Sequence, residues 1–283
     1  MEINESNINE LVRKCGLNPN KSLGQNFLTN AKVSEQIAHE IDFESAKNVL
    51  EIGPGLGSVT HFLSSLNLTA VDVDRRMIDF LKIQYEKNTN ISLVLSDILR
   101  HDVSGYDKVV GNLPYYITTD IITYLLLNAK NANEMVFMIQ REAFPRFAAK
   151  VNEYGYGPIA ILLSLIGEVK KCFMVKASSF YPNPHVDSLV FKVNIDLDKR
   201  TQENFKIYKL AKNLFLNKRK TILNNLSMYT HDKAKASEIL TELGIEFTKR
   251  PENISVEQYV GIFKLLNKWY NTRSKTNVIK ILR

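Results

Sequence analysis

The sequence predicts an α/β protein with a doubly wound, mostly parallel sheet followed by a small all-helical domain. Three observations predict it. Strand-like and helix-like segments alternate from residue 48 to about residue 140. A glycine-rich turn, EIGPGLG, separates the first of these strands from the first helix. The pattern then becomes helical and basic, so we expect two domains, 1–198 and 199–283.

The elements of the sheet follow one another in a regular order. Short apolar runs predict five strands, in KNVLEI, NLTAVDVD, ISLVLSD, YDKVVGN and EMVFMIQ. Helical spacing predicts helices between them, in SVTHFLSSL, RRMIDFLKIQYEK and TTDIITYLLLNA, the last capped at Thr118 or Thr119. A helix interrupted at Pro145, a buried helix in GPIAILLSLIG and two further strands, VKKCFMV and HVDSLVFKVNI, complete the domain. We expect antiparallel strands at the end of the sheet.

The composition is that of an ordinary globular protein whose positive charge is concentrated at one end. Of the 283 residues, 45% are hydrophobic and 24% charged, and the net charge is +7. Residues 1–198 carry 19 Lys and Arg against 23 Asp and Glu, whereas residues 199–283 carry 18 against 7, a net +11. The second segment favours a polyanionic partner such as RNA, DNA or an anionic membrane over a purely solvated surface.

Other classes of protein are disfavoured. Cys15 and Cys172 lie far apart and form no CxxC pair, so neither a disulfide framework nor a metal site is expected. No run reaches about 18 apolar residues, and the N-terminus is polar and mixed in charge. Neither a membrane span nor a signal peptide is therefore expected. We expect a cytoplasmic protein.

The turn EIGPGLG has the composition of a ligand-binding loop. Gly53 and Gly55 lie between a strand and a helix, where glycine lets the backbone approach a ligand and turn tightly. In Rossmann-like folds, an acidic residue about 20 positions further on binds a ribose hydroxyl. Asp72, at the end of the second strand, has this position. Asp74 is a nearby competitor, whose alternative role is to cap the next helix.

The glycine spacing indicates which of two nucleoside-containing cofactors the loop is suited to bind. NAD sites use GxGxxG, whereas this loop has GxGxG, with Glu51 two residues before it. The pattern is similar to that of S-adenosylmethionine-dependent methyltransferases, in which such an acidic residue lies near the amino end of the cofactor. Asp97 then ends the third strand, in SDIL. It is placed to accept a hydrogen bond from the adenine amine of the cofactor, or alternatively to cap a loop or helix.

The segment GNLPYY ends the fourth strand, beside the expected position of the reacting methyl group. An exocyclic adenine amine is a poor nucleophile because its lone pair is delocalised into the ring. Hydrogen-bond acceptors on its hydrogens would free that lone pair, and the Asn112 side chain and Leu113 carbonyl can supply them, with Pro114 holding the turn rigid. Tyr115 can stack on a flipped-out base, whereas Tyr116 is expected only to pack. The alternative is an ordinary turn after a strand.

Eight segments together carry a family resemblance. KSLGQNFL, LEIGPGLG, VDVD, SDIL, GNLPYY, QREAFPRF, SFYPNPHVDS and LFLNKRKTILNNL occur in this order. Over residues 15–270 the chain resembles the ribosomal RNA adenine dimethyltransferases, specifically the KsgA-type branch that modifies small-subunit RNA. The resemblance implies a Rossmann-like S-adenosylmethionine-dependent methyltransferase sheet and a small C-terminal all-helical domain.

The resemblance also implies site residues and a reaction. The cofactor-binding positions that it implies are Asn26, Leu28, Gly53, Asp72, Asp97 and Asn112. Asp72 stands where the family usually has Glu, which shortens the reach to the ribose. Phe180 is implied as a second wall against the target base, with a core-anchoring role as the alternative. The implied activity is N6,N6-dimethylation of two adjacent adenines in a hairpin near the 3′ end of 16S ribosomal RNA, within the immature 30S subunit, by a monomer.

The basic segment is centred on Lys218, Arg219 and Lys220. On a helix, three consecutive residues fan across about 200° and reach more than one phosphate strand. Burial of Leu214 and Phe215 is expected to orient them. Many relatives have Arg at position 218, and Lys keeps the charge but weakens a bidentate phosphate contact. We expect this cluster to bind ribosomal RNA; the alternative is a solvated helix surface.

Two other functions share parts of this pattern. A large-subunit (23S) ribosomal RNA adenine methyltransferase of the antibiotic-resistance type has the same fold and cofactor site, but usually carries NIPY or NIPF in place of NLPY. A non-catalytic ribosome assembly factor would be marked by loss of Asn112 or Asp97, and both are present. The segment KRKTILNNL favours the small-subunit branch.

Overall fold

The chain forms two compact units in a computed structural model, which describes residues 3–4, 6–14, 16, 26–114 and 116–274. The first unit comprises residues 1–144 and 167–197, and the second comprises residues 145–166 and 198–283. The second junction lies within one residue of the predicted domain boundary. The structure differs from the prediction for residues 145–166, which group with the C-terminal helices because their apolar side chains contribute to that core.

A seven-stranded mixed sheet forms the centre of the first unit. In chain order the strands of this unit are β1 (Phe27–Leu28), β2 (Val49–Ile52), β3 (Leu68–Asp72), β4 (Ile91–Leu95), β5 (Lys108–Asn112), β6 (Glu134–Gln140), β7 (Gly167–Val175), β8 (Phe180–Tyr181) and β9 (Ser188–Ile195). The order in the large sheet is β4-β3-β2-β5-β6-β9-β7. Strands β2 to β6 are parallel, and β9 is antiparallel to both β6 and β7. The predicted parallel sheet with antiparallel strands at its end is confirmed.

A second, two-stranded sheet was not predicted. Strands β1 and β8 pair antiparallel, with Phe27 opposite Tyr181 and Leu28 opposite Phe180. A strand of two residues is too short to show alternation in the sequence. The pairing brings the NFL segment of the N-terminal region against the SFYPNP loop.

Two helices of the first unit begin at a side-chain cap. The helices of this unit are α1 (Ile8–Lys14), α2 (Ala31–Ala38), α3 (Thr60–Leu63), α4 (Arg75–Gln84) and α5 (Thr118–Asn128). The Asn30 side chain caps α2 and the Asp74 side chain caps α4. The predicted threonine cap of α5 is wrong. Thr118 is already helical, and its hydroxyl donates instead to the Pro114 carbonyl at 2.9 Å.

The second unit is all-helical. Its helices are α6 (Pro145–Ala148), α7 (Pro158–Ile166), α8 (Gln202–Phe215), α9 (Ile222–Thr230), α10 (Lys233–Glu242) and α11 (Val256–Ser274). Pro145, where the sequence predicts an interruption, begins α6, a position that needs no backbone N–H. Ile161, Leu214, Ile239 and Tyr259 are fully buried in one apolar core. Each helix of the described chain is too short or too polar to cross a lipid bilayer.

Candidate active site

A cleft opens at the carboxyl ends of the parallel strands. The chain leaves β2 toward β3 and β4 on one side, whereas β5 and β6 lie on the other. The point between β2 and β5 is therefore the topological switch point, where open α/β sheets bind ligands. The cleft has a volume of about 960 Å³, including space open to solvent, and its lining includes segments 26–28, 53–56, 72–73 and 110–114.

The glycine loop turns tightly at the floor of this cleft. Gly53 and Gly55 have φ values of +67° and +55°, a region that side chains rarely adopt. The Gly53 N–H donates to the Val71 carbonyl at 3.0 Å, which holds the loop against the end of β3. The predicted role of glycine in this turn therefore has a conformational basis.

Asp72 lies beside the loop at the end of β3. One carboxylate oxygen accepts from the Gly55 N–H at 3.4 Å, and the other accepts from the Asp74 N–H at 2.9 Å. Burial raises the pKa of Asp72, against the opposing effect of these backbone hydrogen bonds. Asp74 instead caps α4, and its carboxylate accepts hydrogen bonds from the Arg76 backbone and side chain. This is the alternative role that the sequence offered for Asp74.

Glu51 places a second carboxylate in the wall of the cleft. Its side chain is 3% exposed, and no described residue donates a hydrogen bond to its Oε2 atom. Burial raises the pKa of Glu51 to about 7, and the negative charge of Asp72 adds to the shift. A buried carboxylate with an unpaired oxygen that lines a cleft is suited to binding a cation or a hydrogen-bond donor.

The NFL segment covers one side of the loop. Asn26 and Leu28 both line the cleft, and the cofactor contacts that the resemblance implies for them stay a prediction. The Ser58 hydroxyl donates to the Leu28 carbonyl at 2.6 Å and ties β1 to the loop that precedes α3. Phe27 packs with α1 side chains and with Leu56, so this segment is held in place by apolar contacts as well.

The NLP part of GNLPYY continues from β5 into the cleft. The Leu113 N–H donates to the Met138 carbonyl of β6 at 3.1 Å, which fixes the backbone just beyond the sheet. Among the residues described, none donates to the Leu113 carbonyl, and the Asn112 side-chain amide makes no hydrogen bond. Both acceptors are therefore available to a ligand. The Pro114 carbonyl, by contrast, accepts from Thr118 and from the Ile117 N–H.

The structure bears differently on the predictions for the two tyrosines of this segment. Tyr115 lies outside the residues that the structure describes, so its predicted stacking role stays a prediction. Tyr116 was expected to pack, but it is 61% exposed and lines the cleft. The feature of the sequence that could have indicated this is the second tyrosine of the Tyr-Tyr pair.

Asp97 and Phe180 do not line the cleft in this structure. The Asp97 carboxylate accepts from the Leu99 N–H at 3.0 Å, the capping role that was its alternative. Phe180 is 2% exposed and packs in the core with Leu28 and Val190. In this structure Phe180 therefore has the core-anchoring role that was its alternative. Stacking on a base would require its ring to leave that core.

The basic triplet lies in the second unit, in a turn between α8 and α9. The expectation that these residues lie on a helix is therefore wrong, because α8 ends at Phe215. Lys218, Arg219 and Lys220 are all exposed. The buried Asn225 amide donates to carbonyls at both ends of the turn, those of Asn217 (3.1 Å) and Lys220 (3.2 Å). The turn is thus held from below by one side chain.

A protein-family comparison identifies the chain. Residues 16–268 match the family model described as ribosomal RNA adenine dimethylase. The chain belongs to this family. Its enzymatic class is therefore S-adenosylmethionine-dependent adenine dimethylation of ribosomal RNA, and its cofactor is S-adenosylmethionine. The family, cofactor and reaction type predicted from the sequence are confirmed.

Relatives span nearly the whole chain. The ribosomal RNA small subunit methyltransferase A of Malacoplasma penetrans is 35% identical over 90% of this chain and 95% of its own length. The protein of the same name from Enterococcus faecalis is 34% identical over 93% of this chain and 95% of its own.

Solved structures share the fold of the family. A dimethyladenosine transferase from Plasmodium falciparum superposes with a TM-score of 0.73 at 25% identity, covering 86% of this chain and 98% of its own. The 23S ribosomal RNA methyltransferase ErmE superposes with a TM-score of 0.66 at 22% identity, over 86% of this chain and all of its own, and shows the fold alone.

Proposed function

We propose that this enzyme dimethylates the N6 amines of two adjacent adenines in a hairpin near the 3′ end of 16S ribosomal RNA, within the immature 30S subunit. The relatives that are named small subunit methyltransferase A, at 34–35% identity over at least 90% of this chain, support the choice of subunit. We also propose, from the family resemblance, that the enzyme acts as a monomer.

The cleft, together with the end of β4 beyond its lining, offers a group for each part of the cofactor. The Gly53 and Gly55 backbone lets the ligand approach closely, and Asp72 would bind the ribose hydroxyls. Glu51 would face the ammonium group, because its unpaired buried oxygen needs a cationic or donor partner. Asn26 and Leu28 complete the wall. Asp97, with its carboxylate partly exposed beyond β4, is proposed as the acceptor for the adenine amine.

The protein's contribution to the reaction is to prepare the adenine amine. The bound cofactor supplies an electrophilic methyl group. The Asn112 side-chain oxygen and the Leu113 carbonyl, both without other described partners, accept hydrogen bonds from the two N6 hydrogens. These bonds draw the nitrogen toward tetrahedral geometry and direct its lone pair at the methyl carbon. A proton leaves after transfer, so no carboxylate base is required at nitrogen.

The second methylation uses the same arrangement. Monomethyladenine keeps one hydrogen on N6, which either acceptor can hold while the lone pair faces a second methyl group. Pro114 keeps the turn rigid, and Tyr115 is proposed to stack on the base and stabilise its developing positive charge. The observation that carries the proposal is the pair of unengaged acceptors, Asn112 and Leu113, at the switch point.

The test is direct mapping of the product. The enzyme and S-adenosylmethionine are incubated with immature small subunits, and in parallel with large subunits, and the modified nucleotides are mapped by mass spectrometry. We expect two adjacent dimethyladenines near the 3′ end of 16S RNA. Modification of 23S RNA alone would support the antibiotic-resistance type instead, and binding without methylation would support an assembly factor. A time course that stops at monomethyladenine would contradict the dimethylation.

A further inference from the structure

The loop between α6 and α7 exposes an aromatic side chain that the proposed function does not use. Tyr154 is 88% exposed, more than any other large apolar side chain in the described part of the chain. Exposure of one tyrosine is common in itself. The loop that carries it, however, is fixed in an unusual way.

Backbone conformation and steric contact hold this loop in one shape. Asn152 has a φ of 70°, a left-handed conformation that only a small part of non-glycine residues adopt. Gly155 has a φ of +94°, and a Cβ atom there would lie 2.7 Å from Pro145. Tyr154 therefore lies between two residues whose backbone angles few other side chains tolerate.

Hydrogen bonds attach the loop to the rest of the second unit. The Asn152 N–H donates to the Glu252 carbonyl at 3.2 Å, and its side-chain oxygen accepts from the Asn253 amide at 2.9 Å. The buried Tyr156 hydroxyl donates to the Ile254 carbonyl at 2.9 Å. A side chain on such a loop loses little backbone entropy when it binds, as in other preorganised recognition surfaces.

The loop is structurally continuous with the basic turn at residues 216–220. The Tyr156 ring contacts Phe215 edge to face, with 6.5 Å between centroids, and Phe215 is the residue before the turn. After the turn, the Ile222 N–H donates to the Lys249 carbonyl at 2.6 Å. Residues 249–254 thus connect the beginning of α9 to the loop, all within the second unit.

The chemistry of the loop tip favours a base over a phosphate. Glu153 is exposed next to Tyr154, and its carboxylate accepts from the Lys150 N–H at 2.8 Å. A fixed negative charge beside the ring disfavours a phosphate contact, whereas the flat face of tyrosine stacks on any unpaired base.

We propose that Tyr154 stacks on an unpaired base of the ribosomal RNA substrate, next to the phosphates that the basic turn binds. The loop is then an RNA-binding element of the second unit. The inference rests on the RNA substrate of the family and on the proposed role of the basic turn.

The test measures binding of wild type, Tyr154→Ala and Tyr154→Phe to immature small subunits across a salt series. Loss of one stacked base should weaken binding by Tyr154→Ala about tenfold, while Tyr154→Phe stays within about twofold of wild type. Since the contact is uncharged, the slope of log affinity against log salt should not change. Ile83→Ala, at a 74% exposed apolar residue of α4 in the first unit, is the control and should bind like wild type.

Three results would overturn the proposal: unchanged affinity of Tyr154→Ala, an equal loss in Tyr154→Phe, which would indicate a hydroxyl hydrogen bond, or an equal loss in Ile83→Ala. Unchanged S-adenosylmethionine affinity and melting temperature show that each variant is folded. Methylation of 16S RNA by the wild type is recorded separately, because it tests the proposed function and not the stacking.

Discussion

The backbone of Gly53 lies directly against the carbonyl group of Asn112. A Cβ atom built on Gly53 would be 3.2 Å from that oxygen, closer than most real Cβ contacts. The glycine loop after β2 and the NLP turn after β5 are therefore coupled through backbone contact. Asn112, the candidate catalytic residue, can therefore keep its position only because Gly53, in the loop after the neighbouring strand β2, has no side chain.

Replacement of Gly53 by Ala should impair both folding and catalysis. The left-handed φ of +67° would cost an L residue about 1–2 kcal/mol of folding free energy. The added methyl would also displace Asn112, and we expect turnover to fall at least about tenfold, since small misplacements are costly in catalysis. Gly105→Ala is the matched control, because a Cβ there meets nothing within 4 Å. Denaturant unfolding measures the stability of both variants, and methyl-transfer assays measure their turnover. A fully active Gly53→Ala enzyme would refute the coupling.

Replacement of Asn112 by Ala should nearly abolish methyl transfer while cofactor binding remains largely intact. One transition-state hydrogen bond of this kind is worth on the order of 3 kcal/mol, or about a hundredfold in turnover. Single-turnover methylation measures the chemical step, and calorimetric titration with S-adenosylmethionine measures binding. Turnover like that of the wild type would reject the assignment of Asn112.

Replacement of Glu51 by Gln should stabilise the cofactor-free protein at alkaline pH. Burial raises the pKa of Glu51 from 4.5 to about 7. The stability that the folded protein gains by holding the Glu51 proton more tightly than the unfolded chain is complete below about pH 4.5 and is lost as pH rises through 7. Between pH 5 and pH 8, the advantage of Glu51→Gln in unfolding free energy should therefore grow by roughly 2–3 kcal/mol. Denaturant unfolding at several pH values measures it.

The same substitution should have the opposite effect on the ligand. Wild-type affinity for S-adenosylmethionine should rise as pH increases through 7, because the ionised carboxylate pairs with the ammonium group. Glu51→Gln should bind more weakly and without that pH dependence. A parallel pH profile in both proteins would show that Glu51 does not contact the cofactor.

Replacement of Lys218, Arg219 and Lys220 by Ala should weaken binding to small subunits and flatten its salt dependence. Each phosphate contact contributes roughly one unit or less to the slope of log affinity against log salt. Lys206, Lys209 and Lys212, which are exposed on α8, give a control with the same change in charge. If the two triple variants behave alike, net charge and not the turn accounts for binding. S-adenosylmethionine affinity should be unchanged in both.

Much of the sheet and part of the site were predictable from local patterns. Buried parallel strands are continuous apolar runs, and β2, β3, β5 and β6 all lie where such runs occur. The position of the glycine loop, Asp72 and Asn112 in one cleft was also predictable, because the carboxyl ends of parallel strands meet at one edge of a sheet. Their roles toward cofactor and base stay predictions. Tyr116 and the basic turn were interpreted wrongly, because exposure and a helix end depend on distant packing.

The sequence by itself determined the order of the main strands and helices and the family, since each depends on residues close together in the chain. Only the tertiary structure decided which residues meet across long separations. It paired Leu28 with Phe180 and buried that ring. It also placed residues 145–166 with the C-terminal helices. These outcomes depend on how apolar surfaces are shared among elements far apart in sequence, and burial is a property of the assembled core rather than of any segment.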